Sequence, residues 1–267
     1  MVALDLKNIH FSYGKGSFIH DLTMTADEGG FIGLIGVNGS GKSTVLKLAA
    51  GILKPQSGAV DLRGRPIGCY KGKERARLIS YLPQILSFNI PLRVKEFIAM
   101  GFYPHDRLPG TSLDDALEIT GLQGKKNSYM AELSGGERKR AYIAMTLIQG
   151  ADILLMDEPL ANLDIKYQIE LIKLLRTLKD EKGITVIMAL HDINMMFQFD
   201  VLHVINRGQL AASGAPREIM TGELLEKTFD IDFKTFKKMY FFGQSDKNSK
   251  NRYFSLRDVS IFHRTME

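Results

Sequence analysis

The fold of this 267-residue chain is indicated most clearly by one stretch, Gly36-Val37-Asn38-Gly39-Ser40-Gly41-Lys42-Ser43. It fits the pattern G-x-x-x-x-G-K-[ST], follows the apolar run Phe31 to Ile35, and opens a helical pattern from Lys42 to Ala50. Glycines here let the backbone turn its N–H groups inward beside a helix N-terminus, where they bind phosphate. Lys42 supplies a positive charge for the β- and γ-phosphates, and the Ser43 hydroxyl is placed for Mg²⁺. The sequence therefore predicts a nucleotide-phosphate loop.

The alternative interpretation of this stretch is a glycine-rich turn that binds no nucleotide. The predicted strand before it and the helix after it favour the phosphate loop, because that context is the one the motif requires. The predicted binding residues are Gly36, Asn38, Gly39, Ser40, Gly41, Lys42, Ser43 and Thr44.

A second motif, Ile153 to Met156 followed by Asp157 and Glu158, places two carboxylates at the end of a predicted buried strand. In α/β sheets, ligands bind at the carboxyl ends of the strands. Asp157 is expected to hold Mg²⁺ directly or through water, and Glu158 to polarise the attacking water as general base. Solvated charges at a strand end are the alternative, and the phosphate loop in the same chain favours the catalytic interpretation.

The other apolar runs predict a parallel sheet preceded by an antiparallel hairpin. Residues 3–13 alternate apolar and polar side chains, and a second extended stretch, 18–25, follows a Gly-Lys-Gly turn. The continuous apolar runs at 151–157 and 184–190 are typical of buried strands, and a helical pattern from Ile165 to Lys182 separates them. Strands that alternate with helices indicate a parallel sheet.

Residues 85–150 show no comparable buried strand and are mostly helical in pattern, which predicts a helical insertion. A short hairpin is expected around Asn206-Arg207-Gly208. We therefore expect one α/β domain over residues 1–230. The remaining residues, 231–267, form a basic, aromatic appendix of uncertain fold that contains the cluster Tyr240-Phe241-Phe242.

The composition, 45% hydrophobic and 24% charged, is that of an ordinary globular protein. The single cysteine, Cys69, has no partner for an internal disulfide, and the N-terminus lacks the pattern of a signal peptide, so a cytoplasmic location is expected. No apolar run approaches the roughly 20 residues that span a bilayer. The net charge of +5 is scattered without an aromatic-interleaved basic stripe, which favours a solvated surface over nucleic-acid binding.

The segment Leu133-Ser134-Gly135-Gly136-Glu137 has no role in a self-contained phosphate site. Ser134 with Glu137 three residues later predicts a capped helix start. The same helix start, with its free N–H groups and positive dipole end, also suits a γ-phosphate. Both interpretations stay open on the residues alone.

The order of phosphate loop, Leu-Ser-Gly-Gly segment, Asp-Glu pair and a histidine after the next strand resembles the ABC ATPases, from about Tyr13 to His191. The combination is more specific than any one of its motifs. The resemblance implies a P-loop NTPase fold of the α/β class with a parallel-sheet core, an N-terminal antiparallel β subdomain and an inserted helical subdomain. It also implies ATP and Mg²⁺ as cofactors and hydrolysis in a composite site of a head-to-tail homodimer.

The resemblance also implies roles for single residues. Tyr13 matches the aromatic that stacks on adenine, with a hairpin-core tyrosine as the alternative. Gln84 matches the glutamine that touches Mg²⁺ and the attacking water, so the implied metal-binding residues are Ser43, Gln84 and Asp157. His191 matches the histidine that bonds the γ-phosphate and orients Glu158. The implied catalytic residues are Glu158, His191, Gln84 and Lys42.

Two further segments match parts of the family that act between subunits. Ser134, Gly135 and Gly136 match the signature segment, in which Ser134 and Gly136 reach the γ-phosphate held by the opposite subunit. Asp164 matches a loop that crosses the dimer interface, and the same residue is also suited to cap the helix that follows it.

Three stretches look like the importer branch for iron-siderophores, haem, cobalamin and some molybdate. They are Leu78 to Gln84, Val94 to Phe97 and Met100 to His105. Relatives usually carry Arg where Phe102 stands, and many carry Gln where Glu137 stands. The importer assignment implies a separate membrane permease, an indirect partnership with a substrate-binding protein, no nucleic acid, and a peripheral position on the cytoplasmic face of the inner membrane.

The segment from about Ile85 to His105 is expected to dock the permease, with the alternative that Phe88 and Ile90 cover the insertion's own helices. An exporter cassette and a non-transport ABC ATPase are the other functions considered. The chain has one motif set and no Cys/His cluster, which counts against the non-transport class.

Overall fold

Two β-sheets and a helical region make up the computed structural model, which describes residues 1–14, 16, 18–84, 91–106, 110–191 and 193–229. The strands are β1 (Val2–Phe11), β2 (Ile19–Asp27), β3 (Phe31–Ile35), β4 (Ser57–Leu62), β5 (Arg65–Pro66), β6 (Ile79–Leu82), β7 (Ile153–Asp157), β8 (Thr185–Ala189), β9 (Val201–Asn206) and β10 (Gln209–Gly214). The helices are α1 (Lys42–Ala49), α2 (Gly72–Ala76), α3 (Val94–Ala99), α4 (Leu113–Ile119), α5 (Gly135–Gln149), α6 (Ile165–Lys182), α7 (Pro216–Ile219) and α8 (Gly222–Phe229).

The first sheet is antiparallel, with the strand order β2-β1-β4-β5. Along β1, Leu4 and Leu6 are fully buried, whereas Lys7 and Asn8 are exposed. One face of the sheet therefore covers a core and the other faces solvent, as is common for antiparallel sheets. The predicted N-terminal antiparallel hairpin is confirmed.

The second sheet has six strands in the order β10-β9-β3-β8-β7-β6, in which all neighbours are parallel except β10 and β9. Every residue of β3, β7 and β8 is buried, as expected for a sheet covered on both faces. The parallel core predicted from the apolar runs is confirmed. The carboxyl ends of these strands share one edge, which is where such sheets bind ligands.

Strand β7 divides the hydrophobic core into two clusters because its side chains alternate between faces. Leu154 and Met156 pack in the cluster that includes residues of α5 and α6. Ile153 and Leu155 pack in the cluster that includes α1 and the antiparallel sheet. The strand that ends at Asp157 is therefore packed against apolar side chains on both faces of the sheet.

The helical region is built around α5, which contacts α3 and α4. Within residues 91–106 and 110–150 the structure contains no strand, and Arg93 pairs with Tyr129 in an isolated bridge. The described part of the predicted insertion is thus helical. Residues 85–90 and the appendix 231–267, with Tyr240-Phe241-Phe242, lie outside the described residues, so the domain bounds stay predictions.

The turn between β9 and β10 uses Arg207 and Gly208, whose φ angles of 47° and 78° are both left-handed. This is the backbone that two-residue hairpin turns require, and the predicted hairpin is confirmed. No helix within the described part of the chain is long and apolar enough to cross a membrane.

Candidate nucleotide-binding site

A cavity of about 460 Å³ brings together most of the residues predicted from the sequence. The cavity is lined by the loop after β3, by residues that follow β7 and β8, and by Gln84, which follows β6. Its walls are formed by Phe18, Asn38, Gly39, Ser40, Gly41, Lys42, Ser43, Thr44, Gln84, Glu158 and His191.

The loop between β3 and α1 has a backbone that only glycine adopts without strain. A Cβ added at Gly36, where φ is 156°, would lie 2.1 Å from the Ile205 carbonyl oxygen. A Cβ at Gly41, where φ is 111°, would lie 2.7 Å from Cδ1 of Ile19. The contact at Gly36 is with backbone and cannot relax, whereas at Gly41 the left-handed φ would strain any other residue, so both positions require or strongly favour glycine. The loop is thereby held against β9 and the N-terminal hairpin.

Lys42 lies inside this loop and is 5% exposed. Its Nζ donates a hydrogen bond of 2.8 Å to the Gly36 carbonyl oxygen and lies 3.9 Å from Oε1 of Glu158. Burial lowers the pKa of the Lys42 amine, and the Glu158 and Asp157 carboxylates oppose that shift. The amine is therefore a buried donor positioned between the phosphate loop and the Glu158 carboxylate.

Asp157, at the end of β7, is buried and accepts two hydroxyl hydrogen bonds. Ser43 Oγ donates to Oδ1 over 2.8 Å, and the Tyr81 hydroxyl donates to Oδ2 over 3.2 Å. Burial, followed by the Asp157 charge, raises the pKa of the Tyr81 hydroxyl. Sequence reasoning missed Tyr81, although its place on β6, opposite Leu155 of β7, puts it on the same face as Asp157.

Glu158 has a left-handed backbone, with φ of 48°, which is unusual for a residue other than glycine. Its Oε2 accepts a hydrogen bond of 2.7 Å from Nε2 of Gln84. His191 lines the same cavity, and within the described residues the hydrogen bond to the Glu158 carboxylate comes from Gln84. Because of this turn in the backbone, the side chains of Glu158 and Asp157 point in different directions.

Tyr13 is 62% exposed, so the alternative of a hairpin-core tyrosine is wrong. Its hydroxyl is 3.1 Å from Oγ1 of Thr44, which lines the cavity. Its ring meets Phe11 edge to face, with centroids 4.8 Å apart, and also approaches Phe18. Tyr13 therefore offers an open aromatic face near the start of α1. Phe18, which lines the cavity itself, was not identified from the sequence.

Ser134, Gly135 and Gly136 do not line the cavity. Ser134 and Glu137 form the reciprocal capping pair that the sequence predicts: the Glu137 N–H donates to Ser134 Oγ over 3.2 Å, and the Ser134 N–H donates to Glu137 Oε2 over 2.8 Å. The start of α5 lies against the loop before α6 and against α6 itself, since a Cβ at Gly136 would be 3.6 Å from Cδ2 of Leu163 and 3.7 Å from Cδ1 of Tyr167.

Asp164 also lies away from the cavity lining. It occupies the position before α6, but within the described residues its side chain makes no capping hydrogen bond, so the prediction that it caps this helix is wrong. Gln168 of the same helix reaches back instead and donates to the Leu163 carbonyl oxygen over 3.0 Å. This contact ties the loop before α6 to the helix, but it bonds a carbonyl oxygen and therefore does not cap the free N–H groups of the helix start.

Comparison with known proteins gives a consistent result. Residues 19–161 match the family described as ABC transporter. The petrobactin import ATP-binding protein FpuC of Bacillus anthracis is 37% identical over 87% of this chain and 89% of its own length. The hemin import ATP-binding protein HmuV of Rhodopseudomonas palustris (strain BisB18) is 38% identical over 85% of this chain and 88% of its own length.

A solved dimeric ATP-binding cassette, in a post-hydrolysis state bound to ADP and Pi, superposes with a TM-score of 0.70. It is 26% identical, and the match covers 80% of this chain and 99% of that one. The six-stranded sheet, the glycine loop and the converging carboxylates define the class of phosphate-loop ATPases. The chain belongs to the ABC transporter family.

Proposed function

We propose that the chain is the ATP-hydrolysing subunit of an importer for a metal chelate, such as an iron-siderophore or haem. The relatives named for petrobactin and hemin import support this substrate class, because each matches nearly its whole length to this chain. The observation that carries the ATPase role is the convergence of Lys42, Ser43, Gln84 and Glu158 on one cavity. ATP is the nucleotide, and its triphosphate binds along the loop and the start of α1.

The residues at the end of β7 fit Mg²⁺ as cofactor. Ser43 Oγ and the buried Asp157 carboxylate lie 2.8 Å apart, and Gln84 adds an amide oxygen on the cavity wall. These are oxygen ligands, which Mg²⁺ prefers, and Mg²⁺ usually takes only one or two carboxylates from the protein. Held by these residues, Mg²⁺ would neutralise part of the negative charge of the phosphates.

In the proposed reaction, Lys42 binds the phosphates and Glu158 takes a proton from the attacking water. Gln84 orients the carboxylate through the bond it already makes to Oε2. In this proposal His191, which lines the same cavity, bonds the γ-phosphate. Tyr13 stacks on the adenine ring from its exposed position.

Ser134, Gly136 and Asp164 act on the ATP of a second copy. None of them lines the cavity of its own chain, and all three lie at the adjoining starts of α5 and α6. The dimeric cassette among the similar structures supports a homodimer. Head-to-tail pairing would bring the N-terminal end of α5 to the partner's γ-phosphate, with its free N–H groups and positive dipole end.

The membrane partner docks on the helical side of the chain. Met100 and Tyr103, within the predicted docking segment, are 53% and 77% exposed, although residues 85–90 lie outside the described part. A permease bound here would hold the chain at the cytoplasmic face of the inner membrane and would receive substrate from a binding protein. Residues 1–230 then form the ATPase domain, and its helical insertion, residues 85–150, contacts the permease.

Import is tested by deleting the gene in its native host and measuring uptake of labelled ferric siderophore and haem. Restoration of uptake by the wild-type chain, but not by the Glu158→Gln variant, is expected. Uptake that is unchanged by deletion, together with accumulation of a compound inside the cells, would support the exporter alternative instead. Purifying the chain from its own membrane identifies the permease independently.

A further inference from the structure

The loop that joins Glu158 to Asp164 has a strained path. Glu158 and Asn162 both have left-handed backbones, with φ angles of 48° and 59°. Non-glycine residues in this region cost free energy and persist only where the surroundings hold them. Within the loop the Ala161 N–H bonds the Glu158 carbonyl oxygen over 3.1 Å. The conformation of Glu158 therefore depends on what holds this loop.

Two side chains, one from α5 and one from α6, donate hydrogen bonds to carbonyl groups of the loop between Glu158 and Asp164. Lys139 of α5 donates from Nζ to the Ala161 carbonyl oxygen over 2.6 Å. Gln168 of α6 donates from Nε2 to the Leu163 carbonyl oxygen over 3.0 Å. Gln168 belongs to the helix that the loop itself enters, whereas Lys139 reaches the loop from a different helix. Lys139 is thus the side chain that fixes the loop relative to α5.

The Lys139 amine is held in an unfavourable environment for a charge. Burial lowers its pKa to about 8, and no carboxylate among the described residues contributes to that shift. A carbonyl oxygen is the hydrogen-bond acceptor that the structure shows for this amine. An apolar side chain of the same length would avoid the desolvation cost, so packing alone does not account for a lysine at this position.

We propose that Lys139 is a positioning residue for ATP hydrolysis, which couples the start of α5 to the Glu158 carboxylate. This inference rests on the proposed function. Lys139 lies one turn after Ser134 and Gly136, which are proposed to meet the γ-phosphate of a second copy, and it bonds the loop that begins at Glu158. A shift of α5 when the dimer closes therefore moves the backbone next to the base. The Lys139–Ala161 hydrogen bond thus links the segment that meets the partner's ATP to the loop that carries the base of the chain's own site.

The test compares Lys139→Met, which removes the donor and keeps the length, with Lys139→Arg, which keeps a charged donor. Lys173→Met is the matched control, because Lys173 is exposed on α6. For Lys139→Met, the expected result is a kcat lower by about 10- to 100-fold, since a small misplacement of a catalytic group has this effect. The ATP dissociation constant and the thermal unfolding midpoint should not worsen, because the variant removes a buried charge. Lys139→Arg should recover part of kcat, and the control should match wild type.

Several outcomes overturn the inference. A wild-type kcat in Lys139→Met would do so, and so would a fall in kcat that only follows a lower unfolding midpoint or weaker ATP binding. If Lys139→Met does not fold, Lys139→Leu, which also lacks a donor, is measured instead, and a wild-type kcat in that variant overturns the inference equally. Absence of hydrolysis by the wild-type chain with its permease would contradict the proposed function itself, so the two failures are distinguishable.

Discussion

The side-chain amide of Gln84 donates a hydrogen bond of 2.7 Å to Oε2 of Glu158, across 74 positions of sequence. The bond joins the end of β6 to the residue after β7, two neighbouring parallel strands. Lys42 Nζ lies 3.9 Å from the other oxygen of the same carboxylate. The proposed general base is thus oriented from one side by an amide and from the other by the phosphate-binding amine.

Gln84→Leu should lower kcat by a larger factor than it weakens binding of ATP with Mg²⁺, because Lys42, Ser43 and Asp157 remain in place. The substitution removes a hydrogen bond to a charged group, and such a bond contributes about 1.5–3 kcal/mol, or roughly a 10- to 100-fold change in rate. Steady-state hydrolysis and equilibrium binding of ATP are the two measurements. Gln84→Glu is the informative companion, because it places a second negative charge beside Glu158 and should be at least as slow. Equal rates for wild type and Gln84→Leu would show that this bond plays no part in the reaction.

Mixing two inactive variants should restore hydrolysis if each ATP is shared between two chains. Lys42→Ala damages the phosphate loop, and Ser134→Arg damages the segment proposed to serve the partner. In a heterodimer one site carries both defects and the other carries neither, so about half of the wild-type activity is expected if the sites act independently. Each variant alone is the control. A proven heterodimer with no more activity than its parents would argue that each chain completes its own site.

Tyr81→Phe should lower the free energy of unfolding at pH 7 by about 1–3 kcal/mol, because the buried Asp157 carboxylate loses a hydroxyl donor. The contribution of Tyr81 to the free energy of unfolding also depends on pH. The raised pKa keeps Tyr81 protonated in the folded chain, while unfolded tyrosines ionise near pH 10. The contribution of Tyr81 is therefore fully present below about pH 10 and is lost as the pH rises further.

Urea unfolding at pH 7 and at pH values above 10 measures both effects. Wild type should lose more stability than Tyr81→Phe over the alkaline range, and Tyr167→Phe, at a tyrosine that is 41% exposed, is the matched control. Parallel losses in wild type and Tyr81→Phe would mean that Tyr81 is not the group responsible.

Tyr103→Asp should abolish stimulation of hydrolysis by the permease while leaving basal hydrolysis intact. Tyr103 is 77% exposed on the predicted docking segment and does not line the nucleotide cavity. Ile52→Asp is the control, since Ile52 is an exposed apolar residue outside that segment, at 55% exposure. A complementary test of the neighbouring residues is Phe88→Asp. If both charged variants are stimulated as wild type is, the permease binds elsewhere.

Much of the core could be predicted because its signals are local. The glycine loop needs a strand before it and a helix after it, and β3 and α1 begin at Phe31 and Lys42 as the pattern predicts. The helix Ile165–Lys182 has the bounds that its apolar spacing indicates. In contrast, β4 and β6 lack the continuous apolar runs of the buried strands, so the sequence alone did not indicate them.

The site contacts depend on packing between distant segments, which periodicity does not reveal. The Tyr81–Asp157 and Lys139–Ala161 bonds join elements whose pairing is set by the sheet order and by helix packing. Asp164 is a residue for which the sequence predicted a contact that the structure does not contain among the described residues. Its residue type favours a cap, yet Gln168 makes the side-chain bonds at this helix start and the Asp164 carboxylate makes none there among the described residues.

The rate of ATP hydrolysis by Glu158→Gln, measured beside its ATP affinity, tests the central claim most directly. Removing a general base typically slows a reaction about 10²- to 10⁴-fold, whereas the phosphate loop that binds ATP is untouched. We expect ATP to bind with wild-type affinity, turnover to be nearly abolished, and the variant to accumulate as an ATP-bound dimer. Hydrolysis at a rate close to wild type would contradict the assignment of Glu158 as the base.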